Sequence, residues 1–165
     1  YNFAGRPPLR VDLYRYSDST YYSIIDIHMK CCDSGLERRK MASKMLHLYI
    51  ENDIHNGYSN FIVLGDWNDD IKDNPGEHCF EPFFEDDRFY FVTENISFDI
   101  NQASYPKEPY VSFLDHIMVS HDLLPNNAQY TVKTLPMGTY MGGYNIYEAY
   151  ISDHLPVMLS FSVTN

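Results

Sequence analysis

Residues 61–68 read Phe-Ile-Val-Leu-Gly-Asp-Trp-Asn, and this stretch decides how the rest of the chain is interpreted. Its first four residues are all apolar, as expected of a strand covered on both faces of a sheet. Asp66 directly follows the strand and Asn68 lies two residues further on, so in extended geometry their side chains share a face. A carboxylate beside a carboxamide could polarise a water molecule and donate a hydrogen bond to a phosphoryl oxygen. The pattern also fits an Asx-rich turn, because Asp and Asn commonly close strands.

A strand pair and a helix are predicted before this stretch. Residues 9–13 alternate apolar and polar side chains, and residues 21–29 are rich in β-branched and aromatic ones, which predicts a hairpin turning at residues 17–19. Residues 34–37, Ser-Gly-Leu-Glu, fit a capping box and predict the start of a helix that ends at residues 56–57, Asn-Gly. Apolar residues recur at helical spacing within it and are expected in the core, among them Met41, Met45 and Leu48.

The second half of the chain is predicted to be mostly strands and loops. Strand candidates are residues 111–119, 128–134 and 156–163, and long loops are predicted at residues 69–80 and 136–150. A strand, a helix, a buried strand and then a run of strands indicate a mixed α/β or α+β sheet. With 165 residues, no repeats and no linker, the chain is expected to form one domain.

Composition restricts the function classes. The net charge is −11 and Lys and Arg number only 12, which argues against strong non-specific nucleic-acid binding. A phosphodiester substrate is not excluded, because carboxylates around a divalent cation are themselves acidic. The three cysteines, Cys31, Cys32 and Cys79, match no disulfide framework, and the adjacent pair is interpreted as plain thiols in preference to a strained vicinal disulfide. The sequence does not identify the compartment.

Three further segments place polar residues at strand ends. His154 in Ser152-Asp153-His154 needs a carboxylate to fix its tautomer before it can act on a phosphate, and Asp115 on another strand is a candidate. Asp153 points the other way and could bind a divalent cation through oxygen. A capped turn with a surface histidine fits the same residues. His28 ends the strand at residues 21–29, where either a catalytic histidine or a satisfied histidine at a sheet rim would fit.

Taken together and in order, these segments resemble the endonuclease/exonuclease/phosphatase superfamily. That family has His-Leu-Lys or similar at a strand end, then Gly-Asp-x-Asn, Asp-(His/Tyr/Arg)-Ile and Ser-Asp-His-x-Pro-Val. The corresponding segments here are residues 27–30, 65–68, 114–117 and 152–157. The resemblance covers residues 3–163 and implies half of a four-layer α/β sandwich, with two packed mixed or antiparallel sheets and helices outside. It also implies that the site lies at one rim and hydrolyses a phosphoester with a divalent metal.

The resemblance implies a role for each catalytic candidate. His154 corresponds to the catalytic histidine and Asp115 to its paired aspartate. Asp66 corresponds to the residue that orients or deprotonates the attacking water, and Asn68 to a phosphate donor in the transition state. His28 matches the second phosphate-contacting histidine of the deoxyribonuclease-like members.

Two further positions are matched by the same resemblance. Asp153 matches a metal-liganding position. Arg6, followed by Pro7 and Pro8, matches loosely an arginine that binds substrate phosphate. The family's metal-binding Asn and Glu precede the strand that ends at His28, and only 27 residues precede His28 here. Residues 1–165 are therefore expected to be the C-terminal half of such a domain, lacking the part with that Asn and Glu.

The resemblance favours a phosphoric ester hydrolase, with a deoxyribonuclease-like nuclease as first choice and Mg²⁺ as expected cofactor. Mn²⁺ and Ca²⁺ are the alternative cations. The alternative functions are a sphingomyelinase-type lipid phosphodiesterase, or a non-catalytic half-domain that binds a partner. The expected partners are a nucleic acid or another phosphodiester substrate, and the remaining half of the domain on a second chain or on further residues. Failing that half, the chain is expected to self-associate, and alone it is expected to be inactive.

Overall fold

A five-stranded sheet forms the centre of the molecule in a computed structural model, which describes residues 3, 5–17, 19–125 and 128–162. The strands occur in the order β1-β2-β3-β5-β4, where β2 and β3 are parallel and the other neighbours are antiparallel. Their bounds are β1 (Leu9–Arg15), β2 (Thr20–His28), β3 (Phe61–Asp66), β4 (Phe89–Phe91) and β5 (Asp115–Ser120). A second, two-stranded antiparallel sheet pairs β6 (Tyr130–Thr134) with β7 (Val157–Phe161). The predicted mixed α/β class is confirmed.

In the part of the chain that the structure describes, four α-helices accompany the sheets: α1 (Leu36–His55), α2 (Glu81–Phe84), α3 (Glu94–Ser97) and α4 (Tyr144–Tyr150). On one face of the large sheet, α1 buries Ala42, Leu46 and Ile50 in a core shared with β2 and β3. On the other face, Ile117 and Val119 of β5 belong to a second core that includes apolar residues of β6 and β7. The large sheet is therefore packed between helices and the small sheet. Among the described residues, no helix is long and apolar enough to cross a bilayer.

The small sheet leaves part of the large sheet uncovered. Directly paired residues share a face of a sheet: Val11 pairs with Ile24, Ile24 pairs with Ile62, and Ile62 pairs with Val119. Val11 therefore lies on the face that β6 and β7 cover further along. Leu9, Val11 and Leu13 are nevertheless 62%, 45% and 49% exposed. We call the surface formed by these three β1 side chains the open face.

Two predictions about α1 are wrong. The helix is preceded by a 3-10 turn at Asp33–Gly35 and has Gly35 as N-cap without a side-chain hydrogen bond, so the predicted capping box does not form. Met41, Met45 and Leu48 are about half exposed instead of buried. Ala42, Leu46 and Ile50 also recur at helical spacing, and these are the residues that face the sheet.

The later part of the chain also differs from the prediction. β5 begins only at Asp115, and the backbone N–H groups of Phe113 and Leu114 before it donate to side chains of Asp70 and Ser104, respectively. The predicted loop at residues 136–150 contains a 3-10 turn, Met137–Tyr140, and the helix α4. The short elements α2, β4 and α3 were not predicted. Val163, the predicted end of the last strand, lies outside the described residues.

Candidate active site

Three polar side chains form a row across the ends of neighbouring strands. Asp66, the last residue of β3, is directly paired with His28 at the end of β2 and with Asp115 at the start of β5. Paired residues share a face, so all three side chains leave the same side of the sheet at one rim. The atom distances agree: His28 Nε2 lies 3.2 Å from Asp66 Oδ2.

His154 joins this row from the loop before β7. Its Nδ1 lies 2.6 Å from Asp115 Oδ2, a short contact typical of a charge-assisted hydrogen bond. The backbone on either side is fixed, because His154 N donates to Ser152 Oγ at 3.0 Å and His154 O accepts from Tyr147 Oη at 3.1 Å. With Nδ1 held by Asp115, Nε2 is the ring nitrogen left to act on a substrate.

Burial and neighbouring charges shift the protonation of this row. Burial raises the pKa of Asp66 to about 6, and the charge of Asp115 acts in the same direction. Burial opposes the charged form of His154, yet the hydrogen bond and charge of Asp115 outweigh it and raise the His154 pKa above its usual value. Burial and the cationic Arg6 and His154 lower the pKa of His28. Near neutral pH the rim thus combines an ionisable carboxyl poised to accept a proton with a histidine held towards its charged form.

Asn68 holds Asp66 through two hydrogen bonds. The Asn68 backbone N–H donates to Asp66 Oδ1 and Asn68 Nδ2 donates to Asp66 Oδ2, both at 2.8 Å. Nδ2 also donates to Met29 O at 3.2 Å. The strand does not continue to Asn68 as the extended geometry predicted: its φ of 54° is left-handed and turns its side chain back onto Asp66. The Asx turn is therefore the structure that holds the two candidate side chains, Asp66 and Asn68, together.

Arg6 and Asp153 lie at the edges of the group. Arg6 is exposed and donates from Nη2 to Met29 O at 3.0 Å, directly after His28 in the chain. Asp153 is exposed, and its backbone carbonyl accepts a hydrogen bond from Tyr144 Oη at 2.7 Å. Its carboxylate is not among the described side chains that converge as candidate metal ligands. The assignment of Asp153 as a ligand stays a prediction.

The described candidate metal ligands are Asp66, Asp115 and His154, whose ligand atoms lie within 4.8 Å of one another. Magnesium prefers oxygen ligands and usually keeps several waters beside one or two carboxylates. The two carboxylates fit a partly hydrated cation of that kind. The imidazole adds little for Mg²⁺, and its Nδ1 is already bonded to Asp115.

Two residues that position the site were not predicted. Ser104 Oγ accepts hydrogen bonds from Leu114 N at 2.9 Å and from Asp115 N at 3.0 Å, which fixes the start of β5. The ring of Tyr105 lies 5.1 Å from the ring of His154, centroid to centroid. Both residues come from a loop ten or more residues before Asp115, and nothing in their local sequence marks them.

Comparisons with known proteins place this arrangement in a fold family. No family model and no curated protein sequence matches the chain. Among solved structures, a mannosyl-6-phosphatase from Bacteroides thetaiotaomicron matches with 19% identity and a TM-score of 0.59, over 94% of this chain and 57% of that one. D. rerio TDP2, in complex with a single-strand DNA product, matches with 17% identity and a TM-score of 0.62, over 96% and 62%. An endonuclease/exonuclease/phosphatase from Bacteroides vulgatus matches with 16% identity and a TM-score of 0.54, over 95% and 56%.

The chain shares the fold of these solved structures, one of which is an endonuclease/exonuclease/phosphatase protein, so the kind of fold that the motifs predicted is confirmed. The chain spans little more than half the length of the solved structures that it matches. Identities below 20% show the fold and not the activity, which has to be argued from the site.

Proposed function

We propose that this chain carries the water-activating and phosphate-contacting side chains of a divalent-metal-dependent phosphodiesterase, with a deoxyribonuclease-like activity. The observation that carries the proposal is the 2.6 Å contact between Asp115 and His154 beside the Asp66–Asn68 pair, at one rim of the sheet. A carboxylate-bound histidine next to a second, separately held carboxyl is an arrangement suited to acid–base chemistry.

Asp66 is the residue proposed to take the proton of the attacking water. A general base works best when its pKa lies near the working pH, and burial has raised that of Asp66 to about 6. Asn68 acts in this proposal mainly by positioning, since it donates to both carboxylate oxygens and thereby orients Asp66. Its direct donation to a phosphoryl oxygen, implied by the family resemblance, remains a prediction.

His154, His28 and Arg6 are proposed to contact the phosphoryl group. Asp115 favours the charged form of His154, which would balance the negative charge that develops on phosphoryl oxygens. His28 lies at the opposite end of the row from Asp115, and the exposed Arg6 guanidinium lies close enough to lower the His28 pKa. A phosphate between the two histidines would meet donors on two sides.

A divalent cation, when bound, would supply further positive charge to the phosphoryl oxygens. With Asp66 assigned to the attacking water, Asp115 is the described carboxylate left to hold it, and Asp153 is the ligand predicted from the sequence. We propose that further oxygen ligands come from residues outside those described, which would also cover the open face. Two observations support this proposal: the exposed open face, and the small number of described carboxylates that could bind the cation.

The test is an assay of the full-length protein with Mg²⁺, Mn²⁺ or Ca²⁺ on four substrates: single-stranded DNA, bis-nitrophenyl phosphate, nitrophenyl phosphate and sphingomyelin vesicles. We expect metal-dependent cleavage of DNA and of the diester, and loss of both activities in His154→Ala. Cleavage of the monoester alone would indicate a phosphatase instead of the proposed phosphodiesterase. Cleavage of sphingomyelin alone would indicate a lipid phosphodiesterase. A folded protein that hydrolyses none of the four would favour the non-catalytic alternative.

A further inference from the structure

A pair of adjacent thiols lies on the loop that follows β2, outside the groups used in the proposed reaction. Cys31 and Cys32 are both free; Cys31 is partly exposed and Cys32 is exposed. Their sulfur atoms lie 2.8 Å apart, with the Cys32 thiol directed at the Cys31 sulfur. This contact is shorter than a usual hydrogen bond to sulfur, and only about 0.8 Å longer than a disulfide bond.

The backbone that brings the two sulfur atoms together is held from the interior. Cys32 has a left-handed φ of 71°, a conformation that is unfavourable for a residue with a side chain. Arg39 Nη1 donates to Lys30 O at 3.0 Å and to Cys32 O at 2.8 Å, so one guanidinium clamps both ends of the dithiol. Arg39 is itself buried and forms a two-point ion pair with Asp69, at 3.0 Å for each bond. The strained conformation is therefore imposed by the fold.

The surroundings of the two thiols shift their pKa values in opposite directions. The hydrogen bond from Cys32 and the ammonium group of Lys30, 3.5 Å away, lower the pKa of Cys31. The same hydrogen bond raises the pKa of Cys32. A nucleophilic thiol beside a resolving thiol is the arrangement in which a mixed disulfide is quickly displaced.

We propose that Cys31 and Cys32 form a redox modification site that closes reversibly to a vicinal disulfide by exchange with a low-molecular-weight disulfide. The Cys31 thiolate attacks one sulfur of the external disulfide, forming a mixed disulfide and releasing one thiolate. Cys32 then loses its proton to solvent and attacks the Cys31 sulfur, forming the Cys31–Cys32 bond and releasing the second thiolate. The protein loses two electrons and two protons, and the external disulfide is reduced to two thiols. This step is independent of the proposed hydrolysis.

The test treats the reduced full-length protein with glutathione disulfide and follows it by mass spectrometry. Trypsin cleaves after Lys30 and Arg38 and so releases both thiols in one peptide, residues 31–38. We expect this peptide to lose the mass of two hydrogens and both alkylation sites, and to regain them with dithiothreitol. Cys32→Ser should stop at one glutathione on Cys31, because no resolving thiol remains. Cys79→Ala removes the buried thiol and should close like the unchanged protein.

Several results would overturn the proposal. Stable glutathione on Cys31 or Cys32 of the unchanged protein would show that the ring does not close. Disulfides between two chains would show that the thiols react with partners and not with each other. Failure of the peptide to change under conditions that modify Cys31 in Cys32→Ser would show that the pair is protected.

Discussion

Asp66 and Asp115 face each other as directly paired residues of two antiparallel strands, at the last position of β3 and the first of β5. Burial raises the pKa of Asp66 to about 6, and the neighbouring charge of Asp115 adds to the effect because two adjacent carboxyl groups cannot both be ionised without cost. His154, bonded to Asp115, supplies the opposing positive charge. The register of β3 and β5 thus places the two carboxyl groups side by side at the rim.

The first prediction concerns the pair that supports the proposed function. In the full-length protein, His154→Ala and Asp66→Ala should each lower kcat for phosphodiester cleavage by about two to four orders of magnitude. Asp115→Asn should act like His154→Ala, because it loses the group that fixes the histidine tautomer and charge. Asp87→Asn, at an exposed site away from the rim, is the control and should leave kcat unchanged. Near-normal kcat in His154→Ala would count against the assignment.

A second prediction tests the glycine that precedes Asp66 in β3. Gly65 has a φ of 127°, and a Cβ added there would lie 2.1 Å from the carbonyl oxygen of Ile27 in β2. Gly65→Ala should therefore reduce the free energy of unfolding by about 2–5 kcal/mol, from backbone strain and forced strand separation together. Gly57→Ala is a matched control, since Gly57 also has a positive φ but open space around it, and should cost about 1 kcal/mol. Urea unfolding of both variants measures the difference, and equal losses would contradict the steric explanation.

The sequence predicted which candidate side chains converge better than it predicted the elements around them. Asp66, Asp115 and His28 could be placed because residues at adjacent strand ends meet at one rim whatever the loops do. The left-handed turn at Asn68 could not be anticipated, because Asn tolerates both extended and left-handed backbone. The hydrogen bond from Asp115 N to Ser104 Oγ could not be anticipated either, because a contact between distant segments leaves no local sequence pattern.

The helix errors have a simple physical origin. Spacing fixes the period of an apolar stripe but not which of two neighbouring stripes faces the sheet, so the exposed Met41 was also predicted to lie in the core. Ala42 is fully buried in the core that α1 shares with the sheet. The tyrosine-rich helix α4 was missed because Gly142 and Gly143 just before it suggested a loop.

A third prediction concerns acid stability. Asp86 accepts hydrogen bonds from Arg88, with Nε–Oδ1 at 2.8 Å, and its Oδ2 lies 2.7 Å from His47 Nε2 of α1. Arg88 first, and then His47, hold the Asp86 pKa well below its usual value. Because the folded pKa is lower than the unfolded one, the stabilisation is complete above about pH 4 and is lost as pH falls towards the folded pKa.

Asp86→Asn should therefore lower the free energy of unfolding by about 1–3 kcal/mol at pH 7, by removing the charged acceptor. The difference from the unchanged protein should shrink below pH 4, which urea unfolding at pH 7 and at acid pH would measure. The neighbouring exposed Asp87→Asn should show neither effect. A loss that stays constant down to low pH would mean that Asp86 acts through packing and not through its charge.

The last prediction concerns the open face. Leu9, Val11 and Leu13 present apolar side chains on the sheet face that β6 and β7 cover elsewhere, and soluble monomers rarely expose a large continuous apolar patch. Residues 1–165 purified alone should therefore self-associate, and light scattering should report a mass above that of a monomer. Val11→Lys combined with Leu13→Lys should reduce this association with little loss of stability, because both side chains are already exposed. The matched control, Met41→Lys with Leu48→Lys, changes the exposed stripe of α1 and should leave association unchanged.

Residues 1–165 alone, without substitutions, should also cleave DNA poorly with Mg²⁺, because two carboxylates and a bonded histidine leave the cation weakly held. A stable monomer that cleaves DNA would show that neither the face nor the metal site needs further residues.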